Sequence, residues 1–263
     1  MPNILVNGVD LYYECHGKGR PLMLIAGLAS DSQSWQPLVA ELSRRYLVIV
    51  ADNRGVGRTT PQDAATSIQA IADDCMTLVS HLGLSSVHVL GHSMGGFVAL
   101  DCALRYPAHV ASLVLAATST FNSARNNALF RDWACNLKSG MDVELWYRNM
   151  FYWIFSRRFF DNSDAVNKAV QCAVEYPYPQ RSIAFERQVN AIEEFNCRDG
   201  LSGITAPTLI MCGKEDLLFP PEESTRALQA IPASRVALIE GAAHAIHTEQ
   251  PAACAACIAR FLT

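Results

Sequence analysis

Apolar residues along this chain follow two alternating patterns: short continuous runs, and stretches in which they recur every three or four positions. The first pattern reads as buried strand and the second as amphipathic helix. The opening predicts a hairpin. Residues 4–6 and 9–13 flank Asn7-Gly8, a dipeptide that takes positive φ readily at both positions, as a two-residue turn requires. Residues 22–26 form an apolar run closed by Gly27, and Leu38, Val39 and Leu42 follow at helical spacing. Residues 46–51 form a second run. Ile68, Ile71, Ala72, Cys75, Leu78, Val79 and Leu82 then mark one face of a helix. Residues 87–90 are a third run, the helical pattern of 98–104 stops before Pro107, and 110–117 are a fourth run.

Short, doubly buried strands alternating with amphipathic helices predict βαβ units and a mostly parallel sheet covered on both faces. Such sheets bind ligands at the carboxyl ends of their strands, so chemistry is expected just after each run. The alternation breaks near Phe121 and resumes near Thr205, with strands predicted over 208–212 and 236–240 and helices over 222–231 and 251–262. The interrupted stretch, 121–200, holds 15 of the chain's 23 aromatic residues, and its charges cancel at ten of each sign. It predicts a helical insertion with an aromatic inner face. Those aromatics either build the insertion's own core or line an apolar pocket over the site. Trp133, Trp146 and Trp153 are its candidate pocket residues, joined by Phe219 after the later strand.

Composition narrows the class. Half of the 263 residues are hydrophobic, which excludes a disordered chain. A net charge of −4 supplies no basic field for nucleic acid or anionic lipid. The longest apolar runs fall far short of a membrane helix. Met1-Pro2-Asn3 lacks the basic and apolar regions of a signal peptide, and nine scattered cysteines, an odd number, suit a reducing compartment. The expected location is therefore cytoplasmic. Cys254 and Cys257 have CxxC spacing, but no second Cys or His pair lies nearby, and both read as small apolar residues on one helix face.

The chemistry concentrates at Gly91-His92-Ser93-Met94-Gly95-Gly96, between a predicted strand and a predicted helix. This is G-x-S-x-G in its strand–turn–helix context. The turn is tight enough to need small residues at 91 and 95. It forces the serine into a strained backbone conformation and lifts its hydroxyl above a helix N-terminus. The bland reading of Ser93 is a turn residue capping the helix. A serine nucleophile needs a base, and the base needs an orienting acid. Asp216, on the loop after strand 208–212, is the candidate acid. His244, just past strand 236–240, is the candidate base. His247 is the rival base, with a bland role as a hydrogen-bonded loop or helix-start residue. His92 adjoins the nucleophile, where the turn is expected to point neighbouring side chains apart. Among acids, Glu215 should face away, Asp52 should bond loop amides and Asp101 should be structural. The oxyanion hole is expected from the backbone N–H groups of Met94 and Leu28, with Gly27 permitting close approach.

These pieces resemble the α/β-hydrolase fold family across residues 8–262, the insertion apart. The resemblance rests on Gly27 with Trp35, Asp52-Asn53-Arg54-Gly55-Val56-Gly57-Arg58-Thr59, the Ser93 turn, Gly213-Lys214-Glu215-Asp216 through Pro220, and Gly241-Ala242-Ala243-His244 with Glu249 and Pro251. It implies an α/β architecture: a mostly parallel central sheet flanked by helices, with a helical cap inserted after the sixth strand. Residues 1–120 and 201–263 would form the core domain and 121–200 the cap. Ser93, Asp216 and His244 match the triad positions, and Leu28 and Met94 the oxyanion positions. One departure is Ala26-Gly27, where many relatives carry His-Gly.

The likeness is nearest to small bacterial esterases and enol-lactonases. It implies hydrolysis of a small ester or lactone by water through an acyl-enzyme on Ser93, with no metal or organic cofactor. Carbon–carbon bond hydrolysis of a vinylogous diketone, amide, carbamate or thioester cleavage, and a hydrolase-like small-molecule receptor remain alternatives. Arg125, Arg131, Arg148, Arg157 and Arg158 are either solvated surface residues or ligands for a substrate carboxylate.

Overall fold

Asn7 and Gly8 take φ of 44° and 81° and join β1 (Asn3–Val6) to β2 (Val9–His16) in the expected hairpin. The computed structural model describes residues 2–263. β2 runs three residues past the apolar pattern, because Glu14, Cys15 and His16 pair antiparallel with β4 (Tyr46–Ala51). The polar Glu14 is tolerated there because Tyr12, His16 and Arg58 surround its carboxylate.

β3 (Arg20–Ile25), β5 (Val87–His92), β6 (Val110–Ala116), β7 (Thr208–Gly213) and β8 (Arg235–Ile239) complete an eight-stranded sheet. Its order is β1-β2-β4-β3-β5-β6-β7-β8, and every pairing from β4 to β8 is parallel. Continuous apolar runs are explained by burial on both faces. Along β3, Met23 and Ile25 enter one core while Leu22 and Leu24 enter the other; Ile49 and Val48 divide β4 in the same way. Burying each such side chain stabilises the fold by roughly 1.5–3 kcal/mol.

One face is covered by α1 (Gln36–Leu42) and α11 (Pro251–Phe261). The other is covered by α2 (Ile68–His81) and α3 (Met94–Arg105). Ser67 caps α2 by accepting from Ala70 N–H at 3.0 Å, and Ile68, Ile71, Ala72, Cys75, Leu78 and Val79 form its buried stripe. Cys254 is buried on α11 and Cys257 half-buried beside it, and all nine cysteines are free.

After β6 come five helices: α4 (Ala124–Lys138), α5 (Val143–Ile154), α6 (Arg157–Phe160), α7 (Ser163–Val174) and α8 (Ser182–Glu194). Ser123, Asp142 and Asn162 cap three of them through side-chain oxygens. Phe151, Val166 and Val170 make a small core of their own, while Phe130, Trp133, Trp146 and Phe185 join the main core. The chain then forms α9 (Pro221–Leu228) after β7 and the single-turn α10 (Ile246–Glu249) before α11. No helix among the described residues is long and apolar enough to cross a membrane.

Candidate active site

Parallel pairing sends the carboxyl ends of β3, β5, β7 and β8 to one edge of the sheet. Residues 27–31, Ser93, Asp216 and His244 all follow those ends. Ser93 has φ 55° and ψ −120°, a conformation that costs of order 1–3 kcal/mol for a non-glycine residue. Surrounding contacts hold it: its N–H donates to Ala116 O at 3.0 Å, and its carbonyl accepts from Thr118 Oγ1 at 2.8 Å. The turn excludes larger neighbours. A Cβ on Gly91 would lie 2.0 Å from Gly95 O, and one on Gly95 would lie 2.0 Å from Ile25 O.

Asp216 and His244 are joined. His244 Nδ1–H donates to Asp216 Oδ2 at 3.0 Å, with both side chains almost wholly buried. The other Asp216 oxygen accepts from Leu218 and Phe219 N–H at 2.8 and 2.9 Å, which fixes the carboxylate and leaves His244 Nε2 as the free basic nitrogen. The His244 loop is braced from both sides. Glu249 accepts from Ala243 N–H and from Ser156 N–H and Oγ–H, and Ala245 N–H donates to Ile154 O. No direct hydrogen bond joins Ser93 to His244 among the described residues, but both side chains line the same cavity. A Cβ on Gly27 would lie 3.0 Å from that of Ser93, so the loop carrying Leu28 passes against the nucleophile turn. Met94 N–H, at the first turn of α3, has no intrahelical acceptor.

Glu215 turns away as expected and accepts from Arg157 N–H; Asp52 accepts from Ser32 and Arg58 N–H. Asp101 pairs with Arg105. His92 departs from expectation. The His92 ring does not point away: its centroid lies 4.8 Å from that of His244 and 4.4 Å from that of His247, and its Nε2–H donates to the His244 carbonyl at 2.9 Å. Burial, then the neighbouring His247 and His244, holds its pKa well below the usual histidine range. His247 is the second residue of α10, the helix-start position its bland reading gave it. Its ring packs tilted against Trp35, 4.5 Å between centroids, its buried Nδ1 has no partner among the described residues, and burial with His244 nearby lowers its pKa to about 3. Neutral, buried His92 and His247 wall in His244. The sequence carried their positions but no sign that three histidines converge.

The cavity is about 470 Å³. The insertion supplies Phe130, Trp133, Tyr147, Phe151, Phe155 and Tyr176 to its wall, so of the four expected pocket aromatics only Trp133 lines it. α5 faces the cavity with Tyr147, Met150, Phe151 and Ile154, a stripe at helical spacing. Trp146 and Trp153 each precede a member of that stripe and so lie about 100° round the helix. Trp146 is buried, donating to Trp133 O at 2.9 Å and meeting Phe185 edge-on. Trp153 sits 5.9 Å beneath the Arg125 guanidinium. Phe219 is excluded because its ring stacks on His244 at 5.7 Å and meets Phe97 edge-on. None of the five arginines weighed as carboxylate ligands lines the cavity. Arg131 pairs with Glu193, and Arg148 with Glu144.

A parallel sheet carrying a strained serine at one strand end and an acid–histidine pair at two others defines an α/β hydrolase. The family model for the alpha/beta hydrolase fold matches residues 20–251, and the chain belongs to that family of hydrolases. A curated relative from Azorhizobium caulinodans, named "Putative carbamate hydrolase RutD", is 30% identical over 95% of this chain and 94% of its own length. An esterase structure from Thermogutta terrifontis is 27% identical, with a TM-score of 0.87 over 100% of this chain and 98% of its own. The enol-lactonase from Burkholderia xenovorans LB400 shares the fold at a TM-score of 0.89 and 22% identity, covering 99% of each chain.

Proposed function

We propose that the chain is a serine hydrolase cleaving a small carboxylic ester or lactone. The observation that carries this reading is the buried Asp216–His244 hydrogen bond in the same cavity wall as the strained Ser93. Ser93 Oγ attacks the carbonyl carbon while His244 Nε2 takes its proton. Asp216 keeps the proton of Nδ1 in place and stabilises the imidazolium. Leu28 and Met94 N–H receive the developing oxyanion. His244 then protonates the departing alkoxide, leaving an acyl-enzyme. In the second half, His244 deprotonates water, which releases the acid and restores Ser93. The Ser93–His244 hydrogen bond forms with substrate present, as catalytic hydrogen bonds often tighten only in the complex. Residues 121–200 serve as the cap over the site, and nine free cysteines suit a cytoplasmic setting.

A second reading, carbamate or amide cleavage by the same residues, is favoured by the name of the 30%-identical relative. Matched ester, thioester, carbamate and amide substrates, assayed with the wild type and Ser93→Ala, separate the two. The ester reading expects fastest turnover of ester, abolished by the substitution. Faster carbamate or amide turnover replaces it with the second reading. Stoichiometric binding without turnover makes the chain a receptor, and turnover retained in Ser93→Ala ends the serine mechanism.

A further inference from the structure

The cavity wall carries a carboxylate and no Lys or Arg among the described residues. The carboxylate is Asp31, three residues beyond Leu28 on the same loop and only 8% exposed. Gln33 N–H donates to Oδ1 at 2.9 Å, and Tyr176, two residues past α7, donates its hydroxyl to Oδ2. A carboxylate offers about four acceptor positions, so two remain. Asp31 forms no ion pair among the described residues. The cation near it, Arg58, is held elsewhere, on Asp52 at 3.1 Å and on Glu14 at 3.3 Å, with its guanidinium 3.7 Å over the Tyr12 ring. Asp52 adds a second negative charge behind Asp31, since a Cβ on Gly57 would touch both carboxylates. Burial foremost, and then Asp52, pushes the Asp31 carboxyl above its usual range, against the Tyr176, Gln33 and Arg58 contacts. The wall is otherwise mostly apolar, with Phe130, Tyr147, Phe151, Phe155 and Ala173 on the same space, and the polar residues beside Asp31, namely Ser30, Gln33 and Ser34, carry no charge.

An anionic substrate would enter a low-dielectric space that holds a like charge and offers no cation. A substrate with an N–H, ammonium or O–H donor would find two open acceptor positions. We propose that Asp31, held by Tyr176, sets the substrate class: a neutral or cationic molecule with a hydrogen-bond donor away from the carbonyl attacked, and not one bearing a second carboxylate. This rests on the serine-hydrolase reading for its reaction but not for its binding preference.

The test uses p-nitrophenyl esters of hexanoic, 6-hydroxyhexanoic, 6-aminohexanoic and adipic acid (the last as its monoester) with the wild type, Asp31→Asn and Tyr176→Phe. In the wild type, kcat/KM for the amino ester should exceed that for the adipate monoester by roughly tenfold or more, since like-charge juxtaposition costs several kcal/mol. Asp31→Asn should shrink that ratio about tenfold, and Tyr176→Phe should shift it less. Calorimetric binding of hexylamine against hexanoate gives a second readout that needs no turnover, and Ser93→Ala should keep the preference for the amine. Loss of ester hydrolysis with that preference intact removes the reaction and leaves this proposal standing. Equal or better use of the adipate ester, hexanoate binding as tightly as hexylamine, or a ratio unmoved by Asp31→Asn overturns it.

Discussion

The cavity is built from two regions that answer to different physics. The sheet edge supplies Ser93, Asp216, His244 and the 27–31 loop, each at a strand end, where the sequence leaves little freedom. Gly91 and Gly95 admit no Cβ, and Asp216 is pinned by two amides before it meets His244. The insertion supplies apolar side chains from helices that pack partly on one another, with Phe151, Val166 and Val170 as a separate cluster. A position in the first region is set by backbone geometry. A position in the second is set by how a helix is rotated about its axis. The first region should therefore govern rate and, through Asp31, the charge of the substrate, and the second the choice among apolar groups.

The largest expected effect lies in the first region. Asp216→Asn presents an N–H where His244 Nδ1 needs an acceptor, so kcat for ester hydrolysis should fall by on the order of 10⁴, with the fold intact by circular dichroism. In the second region, Trp146→Ala removes a fully packed indole away from the cavity. It should cost about 3–5 kcal/mol in denaturant unfolding while leaving the order of acyl-chain preference unchanged. Trp133→Leu, in the cavity wall, should alter that order. If Trp146→Ala changes selectivity as much as Trp133→Leu, the division between wall and packing residues fails.

Smaller effects sharpen the first region. His247 resists protonation in the fold until about pH 3, and His92 is likewise held neutral, whereas the unfolded chain takes protons on both near pH 6.5. The unfolded state thus binds more protons in that window, and stability falls as pH drops through it, by up to about 1.4 kcal/mol per pH unit for each histidine. Urea unfolding between pH 7 and pH 4 should show this slope, and His247→Asn should flatten it. His92→Phe, which removes the donor to the His244 carbonyl, should lower kcat about tenfold with less change in KM, the worth of one hydrogen bond. His92→Gln, which keeps a donor, should recover part of it.

How much the sequence discloses follows the same division. β3 through β6, the Ser93 turn and the Asp216–His244 pair are legible because strand runs and glycine punctuation are local signals, and parallel topology then brings the strand ends together. The pocket aromatics are not legible by richness alone. Trp146 and Trp153 belong to the same helix as Tyr147 and Ile154, and one position's rotation decides which pair meets the cavity. The Tyr147, Met150, Phe151 and Ile154 spacing was a usable signal for that face. His92, His247 and Asp31 are a different failure. His92 ends β5, His247 lies in α10 and Asp31 in the loop after β3, and only tertiary closure puts His92 and His247 against His244 or sets Asp31 in the cavity wall.

The central claim is that Ser93 becomes the attacking atom through His244, and a fluorophosphonate tests it most directly. Mass spectrometry of the intact wild-type protein should show one phosphonyl adduct, mapped by peptide digestion to Ser93 and formed far more slowly in His244→Ala. No adduct, an adduct on another residue, or labelling of Ser93 at an unchanged rate in His244→Ala would contradict the account.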